Sequence, residues 1–535
     1  MIRITQIKIS IDEPVSKVKS LVLKKLRLQE ADLLDYRIYK ESIDARHRGE
    51  IDFIYTVDIK LKDESKILSK KIKNVSLAPE LDYVNPQLGT KKMVNRPVVI
   101  GFGPAGMFAA LLLAQNGYRP IVLERGQAVD ERVKSIDKFW LEGKLNPKSN
   151  VQFGEGGAGT FSDGKLTSRV RDLRGRKVLE EFVEAGAPED ILYKAHPHVG
   201  TDLLRDIVKN IRKQIIELGG EVYFDAQVEE FLIEDEKLQA VKLADGKIVK
   251  TNHAILAIGH SARDTFSELY DKGVTITAKP FAVGVRIEHS QSLINKAQYK
   301  EFADHPRLGA AEYRLTHKSS SGRGVYTFCM CPGGLVVPAA SEEGGLVTNG
   351  MSEHARDQKN ANSGLLVQVF PEDFPSNHPL AGVEFQKELE HKAFELGGSN
   401  YQAPAQLVGD FLDGKASKAM GSVEPSYALG VKPTNLESLF PDYVTQSMRE
   451  AIVGLDKKMH GFALSDAVMT GVESRSSSPV RINRDEENFQ SVSTKGIYPS
   501  GEGAGFAGGI VSAGIDGLKC AEALISEFAK PLTEA

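Results

Sequence analysis

The chain has 535 residues, which is too long for one hydrophobic core, so we expect two or three domains. Its hydrophobic content of 41% and charged content of 26% are typical of a globular protein. The three cysteines, Cys329, Cys331 and Cys520, argue against a disulfide framework and for a reducing compartment. The N-terminus lacks a signal-peptide core, and no apolar run approaches the roughly 20 residues of a membrane span. These features predict a cytoplasmic protein without a membrane partner.

The net charge of −4 is unevenly spread along the chain. Residues 1–96 contain 20 Lys and Arg against 14 Asp and Glu, so the N-terminal part is positive and the remainder is negative. Such asymmetry is found in proteins that bind nucleic acids or other anions. Because neither a long basic run nor interleaved aromatic residues accompany it, we favour lysine-rich exposed helix faces and disfavour a nucleic-acid partner.

Residues 1–90 predict a small α+β domain of ferredoxin-like type. The predicted elements are a strand at 2–11, a helix at about 14–28, strands near 35–42 and 51–62, and a short helix at 64–73. Residues 74–96 have the composition of a linker. A separate module therefore precedes the part of the chain that carries the functional motifs.

Residues 98–126 carry the strongest functional signal. An apolar strand meets Gly101, Gly103 and Gly106, a helix follows, and a second apolar strand ends in Glu124. In such a unit the glycines permit the tight turn, the close approach of a pyrophosphate and the packing of the helix on the strand. Amides at the helix start bind the pyrophosphate, and an acid placed like Glu124 accepts hydrogen bonds from the adenosine ribose. The unit predicts a dinucleotide site.

Three later segments favour a flavin as the ligand. Residues 153–164 are so rich in glycine that they suit a backbone that passes close to a flat ligand. The strand 254–259 ends in glycine and resembles the Ala-Thr-Gly turn of flavoproteins of the glutathione-reductase type, with an isoleucine in place of the threonine. Near the C-terminus a strand delivers Gly501 and Glu502, and a helix begins near Ile510. In those flavoproteins a Gly-Asp pair at this point holds the ribityl hydroxyls, and the helix dipole stabilises negative charge on the ring.

Five motifs and the N-terminal module have the order and spacing of a known family. The motifs are FGEGGAGTFSDGKL at 153–166 and the segments 253–266, 327–334, 471–482 and 500–517, and the module carries SIDAR at 42–46. Together they resemble a bacterial family of FAD-dependent dehydrogenases whose substrates are largely uncharacterised. The resemblance covers essentially the full chain and implies one FAD and a glutathione-reductase-like flavin domain.

The resemblance also implies the FAD contacts. They are Gly101, Gly103, Pro104, Ala105, Gly106 and Gly259 at the pyrophosphate; Glu124 and Arg125 at the ribose; Val228 at the adenine; Gly156, Gly157, Gly159, Thr160 and Lys165 beside the ring or the ribityl chain; Gly501 and Glu502 at the ribityl chain; and Gly509, Ile510 and Val511 at the ring edge.

The predicted fold class is α/β. We expect a Rossmann-like FAD-binding domain of the glutathione-reductase type, built from residues 97–265 and 466–535. An inserted α+β substrate domain at 266–465 and the small N-terminal α+β (ferredoxin-like) module at 1–90 complete the prediction.

The catalytic residues remain unknown at this stage, with four candidates. Cys329 and Cys331, two residues apart, face one side of a strand and suit either a dithiol relay to a flavin or a buried structural role. Arg475 suits bidentate binding of a carboxylate or phosphate, or equally a solvated loop. His260 follows the strand-end glycine and suits a structural or phosphate-facing role as well as catalysis. No histidine or cysteine spacing is typical of a metal site, so we expect no metal.

The leading hypothesis is an FAD-dependent oxidoreductase that transfers a hydride between an unknown small molecule and flavin N5. The sequence has no second GxGxxG, so the electrons would come from the substrate, from NAD(P)H that docks transiently, or from an external carrier. Two alternatives stay open: a flavin-dependent RNA-modifying protein, suggested by the positive N-terminal module, and a non-enzymatic flavin-binding redox sensor. The sequence leaves the oligomeric state open.

Overall fold

A computed structural model describes residues 1–46, 49–80, 82–167 and 172–531. The N-terminal module is a βαββαβ unit. Its elements are β1 (Ile2–Ser10), α1 (Ser16–Leu26), β2 (Leu33–Asp44), β3 (Asp52–Leu61), α2 (Glu64–Leu68) and β4 (Val75–Leu77). The strands pair antiparallel in the order β2-β3-β1-β4, which is the ferredoxin-like order. The buried isoleucines of β1 are at even positions up to Ile4 and at odd positions from Ile7 onward. A β-bulge between Ile4 and Ile7 accounts for the change and keeps Ile7 and Ile9 on the buried face.

The next part of the chain forms a parallel sheet with helices and a small antiparallel sheet. Its elements are β5 (Val98–Ile100), α3 (Pro104–Gln115), β6 (Ile121–Leu123), α4 (Val129–Glu142), α5 (Leu173–Glu184), α6 (Thr201–Glu217), β7 (Glu221–Tyr223), β8 (Val228–Glu234), β9 (Lys237–Leu243), β10 (Ile248–Lys250), β11 (Ala254–Leu256) and α7 (Arg263–Asp271). Strands β8, β9 and β10 form an antiparallel three-stranded sheet beside the parallel one.

The middle of the chain builds a large mixed sheet. Its elements are β12 (Ile276–Ala278), β13 (Phe281–Ser290), α8 (Gln291–Tyr299), β14 (Thr316–Lys318), β15 (Gly324–Cys331), β16 (Leu335–Pro338), β17 (Thr348–Met351), β18 (Asn360–Val369), α9 (Ala381–Gly397), β19 (Ala403–Leu407), α10 (Val408–Leu412), β20 (Val431–Pro433), α11 (Asp442–Asp456), β21 (Val468–Glu473) and β22 (Val480–Ile482). Seven strands follow the order β14-β15-β18-β13-β21-β19-β20, and two short pairs, β12-β22 and β16-β17, stand apart from them.

The C-terminal segment returns to the parallel sheet with β23 (Ile497–Pro499) and α12 (Ile510–Glu527). The strands of this sheet pair in parallel in the order β23-β11-β5-β6-β7. Strand β23 therefore lies beside β11, although the whole middle of the chain separates the two in sequence. The predicted boundary at residue 466 falls just before β21, whose hydrogen bonds are to β13 and β19 of the seven-stranded sheet. Residues 532–535 of the predicted second nucleotide segment lie outside the described residues.

Two connections tie the parts together. The linker runs along the end of α12, where the Gly89 amide donates to the Ile525 carbonyl at 2.8 Å and a Cβ on Gly89 would lie 2.1 Å from the Glu527 carbonyl carbon. The N-terminal module packs against the middle of the chain, since Leu308 is part of its hydrophobic core. None of the helices in the described part of the chain combines the length and the hydropathy of a membrane span.

Candidate functional site

A cavity lies at the carboxyl ends of the parallel strands, the edge of such sheets where ligands bind. Strands β5, β6, β11 and β23 all end on it. Its walls are formed by residues drawn from the segments 100–105, 123–125, 152–165, 226–228, 257–265, 328–329, 347–349, 473–476, 500–502 and 509–513. Segments far apart in the sequence therefore meet around one elongated space.

At one end of the cavity the fingerprint turn has the geometry that its glycines predict. Gly101 has a φ of +96°, and a Cβ there would lie 2.3 Å from the Ala257 carbonyl oxygen. A Cβ on Gly106 would lie 1.9 Å from the Gly101 carbonyl oxygen, so α3 packs directly on the turn. Gly103 is the N-cap of α3, and a Cβ there would meet only Gly157, whose Cα is 3.6 Å away. A side chain at residue 103 would enter the gap between the turn and the glycine-rich loop.

Glu124 joins this turn to the glycine-rich loop. Its buried carboxylate accepts the Phe102 amide on Oε2 at 2.7 Å, and the Gly126 and Gly154 amides on Oε1 at 2.9 Å each. A carboxylate offers about four acceptor positions, so one remains for a hydroxyl in the cavity. The predicted ribose acceptor is thus also a structural anchor.

A buried arginine holds the glycine-rich loop from below. The Arg132 guanidinium donates to the carbonyls of Asn150, Val151 and Glu155 at 2.9, 3.0 and 2.6 Å. Gly154, with a φ of +124°, has no room for a side chain because a Cβ would lie 2.4 Å from Arg132 Cδ. Arg132 was not among the predicted site residues. Its signal was a lone charge on the apolar face of the helix now seen as α4.

The opposite end of the cavity is lined by β15 and β17. Strand β15 has an irregular register between Phe328 and Cys331, and Cys329 between them has a φ of +41°. This bulge places Cys329 on the cavity wall and leaves Cys331 fully buried behind it. The bulge breaks the alternation of a regular strand, so that of the two cysteines only Cys329 lines the cavity.

Ionisable groups at this end have displaced pKa values. The hydrogen bond from Cys331 lowers the pKa of Cys329 to about 6; burial opposes this, while Arg286 and Lys165 add to it. The same contact, together with burial, raises the pKa of Cys331 well above its ordinary value. Burial raises the pKa of Glu502 to about 7, with Lys279 opposing the shift and Cys329 adding to it.

Most of the predicted FAD contacts lie on the cavity wall. They are Gly101, Gly103, Pro104, Ala105, Glu124, Arg125, Gly157, Gly159, Lys165, Val228, Gly259, Glu502, Gly509 and Ile510. The predicted contacts that do not line the cavity are Gly106, Gly156, Thr160, Gly501 and Val511. These pack behind the wall: a Cβ on Gly156 would lie 2.1 Å from Thr160 Oγ1, and the Gly501 amide donates to Asp516 Oδ2 at 2.7 Å.

Of the catalytic candidates besides the cysteines, Arg475 has an internal partner. Its guanidinium donates to both oxygens of Glu390, at 2.8 and 2.7 Å, and Arg263 donates to the same two oxygens. Burial disfavours the Glu390 anion, but the two arginines outweigh it and hold its pKa below the ordinary range. Arg475 is thus neither a solvated loop residue nor free for bidentate binding of a substrate, because Glu390 occupies its fork.

His260 also lines the cavity, with Nδ1 3.0 Å from the Ser261 hydroxyl oxygen. Burial, aided by Arg475 and Arg263, lowers the pKa of His260 to about 3. The imidazole is therefore neutral near pH 7. Thr348 and Asn349 line the same cavity from the mixed sheet and belong to no motif of the sequence. Glu473, which lies in the motif at 471–482 but was not among the predicted site residues, lines it as well.

The sequence has a long and close relative. A protein of Clostridium beijerinckii, described as uncharacterized, is 51% identical over 532 residues, which cover 99% of each chain. This chain belongs to the family of that protein. Residues 280–476 match the family model "FAD-dependent protein, C-terminal domain-like", which supports a flavoprotein family. Residues 1–60 match a domain of unknown function.

Two solved structures resemble the chain at a distance. Glycine oxidase from Bacillus cereus has a TM-score of 0.32 and 10% identity, over 82% of this chain and 100% of that chain. L-amino acid deaminase from Proteus vulgaris has a TM-score of 0.31 and 12% identity, over 85% and 98%. Likeness at these scores carries no weight for the chemistry of this chain, which has to be argued from its own cavity.

Proposed function

We propose that the protein is an FAD-dependent oxidoreductase that transfers a hydride between a small molecule and the flavin. The observation that carries this proposal is that a single cavity is lined by most of the residues predicted to contact FAD. It extends from Val228 and Glu124, past Gly103 and Gly157, to Glu502 and Cys329. The match of residues 280–476 to an FAD-dependent family model supports the same cofactor.

The residues around the cavity fit an FAD. The gap between Gly103 and Gly157 and the free amides at the start of α3 suit a pyrophosphate. Glu124 keeps one acceptor position for the adenosine ribose, and Val228 lines the cavity on the adenine side. The first amides of α12 follow Gly509 and point their positive dipole end at the same space. Bound FAD would supply a two-electron centre at ring N5.

The chain supplies the groups that orient a substrate and hold a proton. Glu502 is protonated over part of the neutral range, because burial raises its pKa to about 7. Lys165 lines the same end and places an ammonium within 3.5 Å of Glu312. We propose a small molecule or an electron carrier as the reaction partner, with NAD(P)H as a transient electron donor.

The flavin itself can be tested by spectroscopy. Purified protein should show a flavin absorption spectrum, and heat should release FAD that chromatography identifies. Gly103→Val should lower the bound flavin at least about tenfold, because its side chain enters the pyrophosphate gap and a loss of about 1.4 kcal/mol is sufficient for that change. Gly345→Val is the matched control, since Gly345 does not line the cavity and a Cβ there would have no neighbour nearer than 3.6 Å. Colourless protein that stays colourless after incubation with FAD would refute the proposal.

A further inference from the structure

The bulge in β15 is built by contacts that converge on its carbonyl groups. Arg286 Nη1 donates to the Cys329 carbonyl at 2.8 Å, and Cys331 Sγ lies 3.3 Å from the same oxygen. Lys165 Nζ donates to the Met330 carbonyl. A non-glycine residue with positive φ stores strain and persists only where its surroundings determine it, and such residues cluster at functional sites.

The arginine in this arrangement is itself fixed. Arg286 is fully buried and forms a bidentate ion pair with Glu473 at 2.8 and 2.9 Å. It also donates to Asn349 Oδ1 at 2.9 Å. The bulge therefore rests on an internal network, of which Cys329, Asn349 and Glu473 line the cavity.

A second observation points to a ligand at this wall. The Thr348 hydroxyl is buried, with only 1% of the residue exposed, and it has no hydrogen-bond partner in the described structure. Thr348 lines the cavity from β17, which packs beside β15. A buried hydroxyl without a partner is costly unless a ligand or water completes it.

We propose that Cys329 is a nucleophilic thiol that reacts with a ligand carrying a soft electrophilic carbon or sulfur atom at this end of the cavity. The inference rests on the proposed function only in taking this cavity as the substrate site. In the step, an electron pair of the Cys329 thiolate forms a bond to the electrophilic atom. The bond from that atom to its leaving group breaks, and the leaving group departs with the bonding electrons. The thiol proton has already passed to solvent, and no oxidant is required.

The charges around Cys329 favour its thiolate. Its charged or ionisable neighbours are the cations Arg286 and Lys165, the carboxyl groups of Glu473 and Glu502, and the Cys331 thiol. The Cys331 hydrogen bond and the two cations outweigh burial and Glu473, so the pKa of Cys329 lies near 6. Thiolates, not thiols, are the nucleophiles, and this environment ionises Cys329 at neutral pH.

Brief alkylation of the purified full-length protein tests the proposal. Iodoacetamide forms a sulfur–carbon bond and releases iodide, and mass spectrometry of peptides then locates the label. At pH 6.5 Cys329 should react at least about tenfold faster than glutathione, because an ordinary thiol with a pKa near 8.5 is only about 1% ionised there. The rate at Cys329 should reach half its maximum at a lower pH than the rate of glutathione does, because the pKa of Cys329 is lowered by its hydrogen bond with Cys331. Cys331 and Cys520, which are both fully buried, should remain unlabelled.

Two lysine variants test whether the charge of Lys165 contributes to the lowered pKa of Cys329. Lys165→Met should move the midpoint of the alkylation rate to higher pH, while Lys144→Met, an exposed lysine paired with Glu142, should leave it unchanged. A Cys329 that reacts no faster than glutathione, or a label found first on another cysteine, overturns the inference. The flavin spectrum of the same sample keeps the two proposals apart. Yellow protein with slow Cys329 overturns only this inference, and colourless protein with fast Cys329 overturns only the flavin.

Discussion

Glu502 shows how the burial of one carboxyl group sets a property of the cavity. It lies half-buried on the wall, with Cys329 and Lys279 as its charged or ionisable neighbours. Burial is the largest influence and raises its pKa to about 7. The ordinary glutamate pKa is about 4.3, so folding changes the protonation of this group over the mildly acidic range.

The sign of the resulting pH dependence is fixed. Between about pH 4.3 and 7 the folded protein holds a proton on Glu502 that the unfolded chain has lost, so the free energy of unfolding falls as pH rises through this window. Urea unfolding midpoints of wild type and Glu502→Gln should therefore converge at low pH, with the wild type losing stability relative to the variant toward pH 7. Glu131→Gln, at an exposed site beside Lys134, should follow the wild type. Parallel profiles for wild type and Glu502→Gln would contradict the assignment.

At single residues the sequence predicted the type of chemistry better than the partners. Gly101, Gly103 and Glu124 could be identified because their roles depend on local spacing. The internal partner of Arg475 could not be identified from the sequence, because Glu390 lies 85 residues away and no pattern links the two. The hydrogen bond from the Gly154 amide to Glu124 could not be predicted either, because the two residues are 30 positions apart and meet only when the loop folds.

Among the elements, helices with a long apolar stripe were predictable and irregular strands were not. Apolar residues recur at helical spacing over 129–142 and 201–218, where α4 and α6 lie, and α12 begins at Ile510 as predicted. Helix α5 was missed because only Val178, Glu181 and Phe182 are buried along it, too few to produce a clear period. The bulge in β15 was missed because alternation assumes a regular strand.

Close contact between α3 and α12 depends on a glycine. A Cβ on Gly517 would lie 2.0 Å from the Ala105 carbonyl oxygen, which belongs to backbone that cannot rotate away. Gly517→Ala should lower the free energy of unfolding by about 1–3 kcal/mol and reduce flavin binding, since the two helices must separate beside the pyrophosphate gap. Thermal unfolding and the flavin spectrum measure the two effects.

Gly175→Ala is the control for this helix interface. Gly175 lies on α5 facing α12, and a Cβ there would meet Ile515 at an ordinary 3.4 Å. Alanine favours a helix over glycine by up to about 1 kcal/mol, so this variant should be as stable as the wild type or more so. Equal losses in both variants would show that the close approach at Gly517 is not responsible.

For the whole molecule, the sequence indicated its parts but not how they are joined. The N-terminal module and the return of the chain to the parallel sheet follow from element order. The docking of the module does not, because it relies on Arg307, whose guanidinium donates to the Ile11 carbonyl at 2.7 Å and lies 4.3 Å from the centre of the Phe53 ring. A contact between residues 296 positions apart, such as that of Arg307 with Ile11, leaves no local signature.

Arg307→Ala should loosen the module without unfolding it. Loss of the hydrogen bonds to the Ile11 and Glu13 carbonyls costs about 1–3 kcal/mol, which raises the undocked population roughly tenfold. Chymotrypsin, which does not cut at arginine, should then cleave the exposed linker around Val84 correspondingly faster. Arg37→Ala is the matched control, because its ion pair with Asp58 lies within the module. Equal cleavage rates for the two variants would show that Arg307 does not hold the module.

The place of β23 in the parallel sheet has a consequence for biosynthesis. A ribosome releases residues in chain order, so β11 emerges long before its neighbour β23. Until residues 497–527 appear, one edge of β11 presents unpaired backbone groups, and the linker lacks the α12 backbone to which Gly89 bonds. Unpaired edges recruit other strands, so the nascent chain is most open to aggregation while the middle segment is being translated. Translation of residues 497–527 is the step that completes the parallel sheet.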